Sequence, residues 1–141
     1  MTPTLPRVTG VLETALYVKD LSRAIEFYQR LFQFEILFVD ARACGMSVAG
    51  KQVLLLFKQG ASLKPHQAAG GLIPPHDGAG QLHMAFSIST AEFEAWEKRL
   101  AENQIAIESK VKWEKGGQSL YFRDPDQHVI ELATPGTWTI Y

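Results

Sequence analysis

The strongest constraint on the fold of this chain is that it says the same thing twice. Leu12-Glu-Thr-Ala-Leu-Tyr-Val18 returns seventy residues later as Leu82-His-Met-Ala-Phe-Ser-Ile88, so that Glu13 falls on His83, Ala15 on Ala85 and Val18 on Ile88. Each copy alternates apolar and other residues, the pattern of a strand with one face on a core. After the first strand, Leu21, Ala24, Ile25, Tyr28, Leu31 and Phe32 recur at helical spacing behind Asp20, a good N-cap. After the second, Phe93, Trp96 and Leu100 mark a helix ending near Asn103, opened by a Ser89-x-x-Glu92 capping box. Strands near 35–40, 42–48 and 52–58 follow the first helix, and strands near 104–112, 118–123 and 128–134 the second. The last strands also match: Val53-Leu-Leu-Leu56 lies over Val129-Ile-Glu-Leu132, which places Glu131 on Leu55. The reading is a single α+β domain over 1–141. It holds two tandem βαβββ modules, 10–58 and 81–134, whose sheets form an open, barrel-like cavity with the helices outside. Residues 59–80 carry five Gly and three Pro and read as the linker between the modules.

The repeat defines four equivalent positions, Glu13, Leu55, His83 and Glu131, and three of them carry metal-competent side chains. In Glu13-x-Ala15 and His83-x-Ala85 the next residue on the same face is alanine, which leaves room beside a ligand. Glu131 stands between Ile130 and Leu132 on the return arm of a hairpin whose turn is Asp124-Pro125-Asp126-Gln127. A carboxylate in an apolar strand costs several kcal/mol unless a cation or donors satisfy it, a cost of about 2–7 kcal/mol even for an uncharged polar group. One His and two carboxylates, with positions left open, suit a catalytic divalent ion, and their charge neutralises it. The same residues also admit a plainer reading: His83 hydrogen-bonded within a strand, Glu13 facing water, and Glu131 paired with Arg123 or Lys115.

The net charge of −1, without a basic block, argues against nucleic acid and against anionic membrane surfaces as partners. No apolar run is long enough to span a bilayer. The first residues lack the charged start and apolar stretch of a secretory signal, and the single cysteine, Cys44, reads as a small buried hydrophobe. Together these features predict a cytoplasmic protein. His66 and His76 read as solvated loop residues, with a cavity mouth as the other place for His76. Trp113 and Trp138 read as edge seals rather than the lining of a substrate pocket, and Lys115-Gly116-Gly117 as a surface loop rather than a contact to an anionic substrate.

On Glu13-x-x-Leu16-x-Val18-x-Asp20-Leu21 with Ala24-x-x-Phe27-Tyr28, on His83-x-Ala85-Phe86, and on Tyr121-Phe122-x-Asp124-Pro125-Asp126-x-x-x-Ile130-Glu131-Leu132, the chain resembles the vicinal oxygen chelate superfamily. That superfamily includes glyoxalase I, bleomycin-resistance proteins, extradiol dioxygenases and fosfomycin-resistance enzymes, and the resemblance covers about residues 10–134. It implies metal ligands at Glu13, His83 and Glu131, holding one divalent ion (Zn, Ni, Mn, Fe or Mg). A fourth ligand, used by glyoxalase I, falls on Leu55, which cannot coordinate. Extradiol dioxygenases and fosfomycin-resistance enzymes favour His where this chain has Glu13. Ser119 and Tyr121 resemble residues of the fosfomycin-resistance hairpin and are expected to bind substrate. They share a face with Glu131 if the hairpin loop has five residues. The resemblance implies a metal-dependent enzyme acting on a small oxygenated substrate, by lyase or isomerase chemistry, addition to an epoxide, or ring cleavage. The alternative is a metal-free drug- or metabolite-binding protein of the bleomycin-resistance type. Uncovered sheet edges and the habits of the superfamily both predict a homodimer.

Overall fold

The computed structural model describes Thr2 and residues 4–141. The first module runs β1 (Glu13–Val18), α1 (Leu21–Phe32), β2 (Glu35–Val39), β3 (Ala43–Val48) and β4 (Gln52–Lys58). A two-stranded hairpin follows, β5 (His66–Ala68) and β6 (Gly71–Ile73), within the stretch read as a linker. The second module runs β7 (His83–Ser87), a 3₁₀ turn (Thr90–Glu92), α2 (Phe93–Glu102), β8 (Ser109–Lys112), β9 (Gln118–Arg123) and β10 (Val129–Ala133).

Both modules build an open four-stranded sheet with one plan, β1-β4-β3-β2 and β7-β10-β9-β8. β1 pairs parallel to β4 with Ala15 opposite Leu55, and β7 pairs parallel to β10 with Ala85 opposite Glu131. The repeat is therefore a repeat of register as well as of sequence: Glu13 and His83 occupy equivalent strand positions, and so do Leu55 and Glu131.

Local chemistry sets the helix ends. The Asp20 carboxylate accepts the N–H of Arg23 at 3.1 Å, and Gln33, left-handed at φ 56°, returns its N–H to Gln29 and closes α1. At the second helix the expected capping box takes another form. Thr90–Glu92 wind as a 3₁₀ turn, so the Ser89 hydroxyl donates to the Glu92 carboxylate at 3.2 Å instead of accepting a backbone N–H of the helix. The strand expected from 104 starts only at Ser109, because Gln104 adopts φ 59° and the Ile105 N–H still bonds to the Leu100 carbonyl.

One core joins the two modules. Leu16, Val18, Leu54 and Leu56 from the first sheet and Leu120, Phe122, Ile130 and Leu132 from the second are all buried in it. Phe32, at the end of α1, sits 4.9 Å from the Phe86 ring and 5.4 Å from Trp96. Arg99 of α2 donates to the carbonyls of Leu31 and Arg30, closing α1 against α2. Cys44 is fully buried in this core as a small hydrophobe. Because successive strand residues point to opposite faces, Glu13, Ala15, Tyr17 and Leu55 in one sheet, and His83, Ala85, Tyr121 and Glu131 in the other, lie on the faces turned away from this shared core.

The turn Asp124–Gln127 is pinned from within. Asp124 accepts the N–H groups of Asp126 and His128 on one oxygen, and the Tyr28 hydroxyl (2.7 Å) and His128 Nδ1 (2.8 Å) on the other. Burial, then the Asp124 charge, push the Tyr28 phenol well up. Among the described residues, no helix is long and apolar enough to cross a membrane.

Candidate metal centre and its cavity

In the second sheet, Glu131 pairs opposite Tyr121 and Ala133 opposite Ser119, while Arg123 pairs with Val129. Five residues thus lie between the paired arms, and Ser119, Tyr121 and Glu131 share one face. His83, two positions before Ala85 on the neighbouring strand, joins them. Its Nδ1 lies 2.8 Å from the Val129 carbonyl, which can only accept, so Nδ1 is the donor and, in the neutral ring, Nε2 is the nitrogen that keeps a lone pair. That Nε2 is 3.3 Å from Glu131 Oε1.

Glu131 is held in place. The Ser119 hydroxyl donates to Oε2 at 2.6 Å and accepts the indole N–H of Trp113 at 2.8 Å. Its side chain is 9% exposed against 51% for His83, so the pair opens to solvent on the histidine side. Neither of the plainer partners holds Glu131: Arg123 pairs with Glu108 instead. The Tyr121 ring stacks loosely on His83, 6.3 Å between centroids. Burial, and then the Glu131 charge, push its phenol up, so it stays a donor at neutral pH.

Glu13 lies elsewhere. It lines a cavity of 470 Å³ in the first sheet together with Tyr17, Arg42, Leu55, Phe57 and His76, and neither His83 nor Glu131 reaches that cavity. Within a single chain, and among the described residues, no three His, Cys, Asp or Glu side chains come together as a metal site. The structure brings His83, Glu131, Ser119 and Tyr121 together and puts Glu13 and Leu55 on the equivalent face of the other sheet.

Two glycines shape this cavity. At Gly45, opposite Leu55, a Cβ would stand 2.6 Å from the Phe38 ring, and at Gly78 one would stand 2.4 Å from the Tyr17 ring. His76 is drawn in from the connecting segment: its Nδ1 lies 2.8 Å from the Tyr17 hydroxyl and its ring meets Phe57 edge-on at 4.5 Å. The sequence left two readings of His76, a solvated loop residue, which was preferred, and one at a cavity mouth, and the second is what the structure has. Trp113 was read as an edge seal, yet its N–H supports Ser119. Trp138, read the same way, is 71% exposed and seals nothing within one protomer. Arg42 escaped the sequence reading altogether. The period of two put Tyr17 on the face of Glu13 and Ala15, where it lies, but gave it no role.

The family model for the glyoxalase/bleomycin resistance protein/dioxygenase superfamily matches residues 10–132. The chain belongs to this superfamily. Among curated relatives, a protein called metallothiol transferase FosB from Staphylococcus epidermidis is 30% identical over 129 residues, covering 90% of this chain and 82% of its own length. Among solved structures, lactoylglutathione lyase from Agrobacterium tumefaciens superposes with a TM-score of 0.85 at 31% identity, covering 95% of this chain and 99% of that one. The fosfomycin resistance protein FosX from Listeria monocytogenes, solved with Mn(II) and a sulfate ion, shares the fold with a TM-score of 0.67 at 22% identity, covering 91% of each chain.

Two of the residues present, His83 and Glu131, suit a divalent ion. In the neutral tautomer with its proton on Nδ1, His83 and the carboxylate oxygen 3.3 Å away would be two acceptors facing each other, an arrangement that a shared proton or a cation completes. Both are oriented from behind, His83 by a backbone carbonyl and Glu131 by a hydroxyl, as metal ligands are.

Proposed function

We propose that this protein is a divalent-metal-dependent enzyme acting on a small oxygenated substrate, and that it works as a homodimer. Glu13 of one protomer and His83 and Glu131 of the other hold one ion, giving two such sites per dimer. The observation that carries this reading is the face-to-face His83–Glu131 pair, an imidazole nitrogen and a carboxylate oxygen 3.3 Å apart and each oriented from behind. The register supports Glu13 as the third ligand, since it occupies on β1 the place of His83 on β7. The shared core separates the two faces within one chain, so a second copy is the economical way to oppose them.

When bound, the ion supplies Lewis acidity toward a substrate oxygen. The chain's own residues do the rest. Val129 fixes the tautomer of His83, and Ser119 aims Glu131. Ala15 and Ala85 leave space on either side. Leu55 is apolar where glyoxalase I has a ligand, leaving one side for substrate. Tyr121 offers its hydroxyl proton to a substrate oxygen. Transfer of a thiol to the substrate is the favoured reaction, because relatives 28% and 30% identical over 129 residues carry the name metallothiol transferase. A second reading, metal-free capture of a small molecule, draws on the aromatic and aliphatic lining of the cavity by Phe38, Leu55, Phe57 and Ile73.

Metal analysis of protein purified without added metal decides between them. The enzyme reading expects close to one divalent ion per protomer, lost in His83→Ala. Metal-free protein that gains no ion on reconstitution and still binds small apolar molecules would establish the binding reading instead.

A further inference from the structure

The cavity on the first sheet holds two opposite charges that do not pair with each other. Glu13 and Arg42 both line it, yet among the described residues no carboxylate lies within ion-pair distance of Arg42. The nearest candidate in sequence, Asp40, feels the Arg42 charge but makes no ion pair with the guanidinium, and its Oδ1 accepts the backbone N–H groups of Arg42 and Ala43 at 2.8 and 2.9 Å. The guanidinium is nevertheless held in place. One terminal nitrogen donates to the buried Ser62 hydroxyl at 3.1 Å, and its carbon lies 5.5 Å from the centre of the Phe57 ring. Its Nε is buried and has no acceptor.

A guanidinium stacked on an aromatic ring, tied to a buried hydroxyl and short of an anionic partner is a pre-organised anion receptor. Its planar fork matches an oxyanion better than a lysine ammonium would. The Tyr17–His76 pair, on the same wall, adds hydroxyl and imidazole groups that can hydrogen-bond to such an anion. We infer that Arg42 is a substrate-recognition residue: the molecule this protein takes carries a carboxylate or another oxyanion that binds Arg42, set apart from the oxygen directed at the Glu13 end of the cavity. The inference deepens the proposed function and rests on it only for the second half of that statement.

The test uses the protein in its native assembly, with and without metal, and three probes: acetate, its neutral isostere acetamide, and inorganic phosphate. The readout is the Arg42 Nε–H resonance in ¹H–¹⁵N spectra, assigned by its loss in Arg42→Gln. Acetate should shift that resonance in metal-free and metal-loaded protein alike, and acetamide should not. Arg42→Gln should weaken acetate binding at least about tenfold, the loss of a charge-assisted fork, and Arg42→Lys should recover part of it. A stronger response to phosphate would assign the subsite to tetrahedral oxyanions, and a stronger response to acetate to carboxylates. Equal binding to wild type and Arg42→Gln, or no response to either anion, overturns the inference. So does dissociation of the dimer in Arg42→Gln, which would mean that the guanidinium serves a carboxylate of the second copy. Because the metal-free arm reads Arg42 alone, failure of the metal site would leave this result standing, and the reverse also holds.

Discussion

His83 Nε2 stands 3.3 Å from Glu131 Oε1, while the opposite oxygen of Glu131 receives the Ser119 hydroxyl at 2.6 Å. The hydroxyl is in turn held by the Trp113 indole. This chain makes Ser119 a positioning residue. Ser119→Ala should leave the fold intact, since the methyl group fits where the hydroxyl was. It should weaken divalent-metal affinity by about 10–100-fold, the usual effect of removing an outer partner of a ligand. Titration with Mn²⁺ or Zn²⁺ followed by competition with a chelator measures it. Unchanged affinity would show that Glu131 needs no support from behind.

Leu55 pairs opposite Ala15 as Glu131 pairs opposite Ala85. Leu55→Glu therefore places a carboxylate at the fourth repeat position. Metal should bind more tightly, and any activity that needs the open side should fall. Chelator competition reads the first effect and turnover the second. Weaker metal binding in this variant would mean that position 55 does not face the ion.

Tyr28 and Asp124 give the fold a pH limit. The Tyr28 phenol is pushed up by burial and by Asp124, so its folded pKa exceeds the unfolded value of about 10. Stability from this group is thus fully present below about pH 10 and is lost as pH rises through the folded pKa. Tyr28→Phe removes a hydrogen bond to a buried carboxylate, a loss of about 1.5–3 kcal/mol at neutral pH. It should also flatten the decline above about pH 10. Denaturant melts at pH 7 and pH 10.5 check both signs, and parallel pH profiles for the two proteins would contradict the assignment.

Much of this was legible in the sequence, for identifiable reasons. The repeat of Leu12–Val18 in Leu82–Ile88 carries strand faces with it, because side-chain direction has a period of two. The equivalence of Glu13 and His83 is therefore written in the sequence itself. The buried Glu131 announced itself by its apolar neighbours. The register of the hairpin depended on a loop length that turn chemistry alone left open, so the sharing of a face by Ser119, Tyr121 and Glu131 needed the structure. The parting of Glu13 from His83 could not be read either. It follows from Phe32 packing on Phe86 and Trp96, a contact between modules that local periodicity does not report. Arg42 and His76 reach the cavity through loop paths set by Gly78 and Ser62, residues with no periodic signature.

The central claim is that one metal site is built from two chains, and mixing of protomers tests it most directly. Glu13→Ala and His83→Ala each remove a ligand from every site of their own homodimers, so neither should hold the ion tightly. Unfolded together and refolded, they form mixed dimers in which one site loses both ligands and the other keeps Glu13 from one protomer and His83 with Glu131 from the other. The account predicts one tightly bound divalent ion per mixed dimer, with turnover restored in proportion. If the mixed dimers form and bind no more metal than the parents, the site is not shared between chains, and the account is wrong.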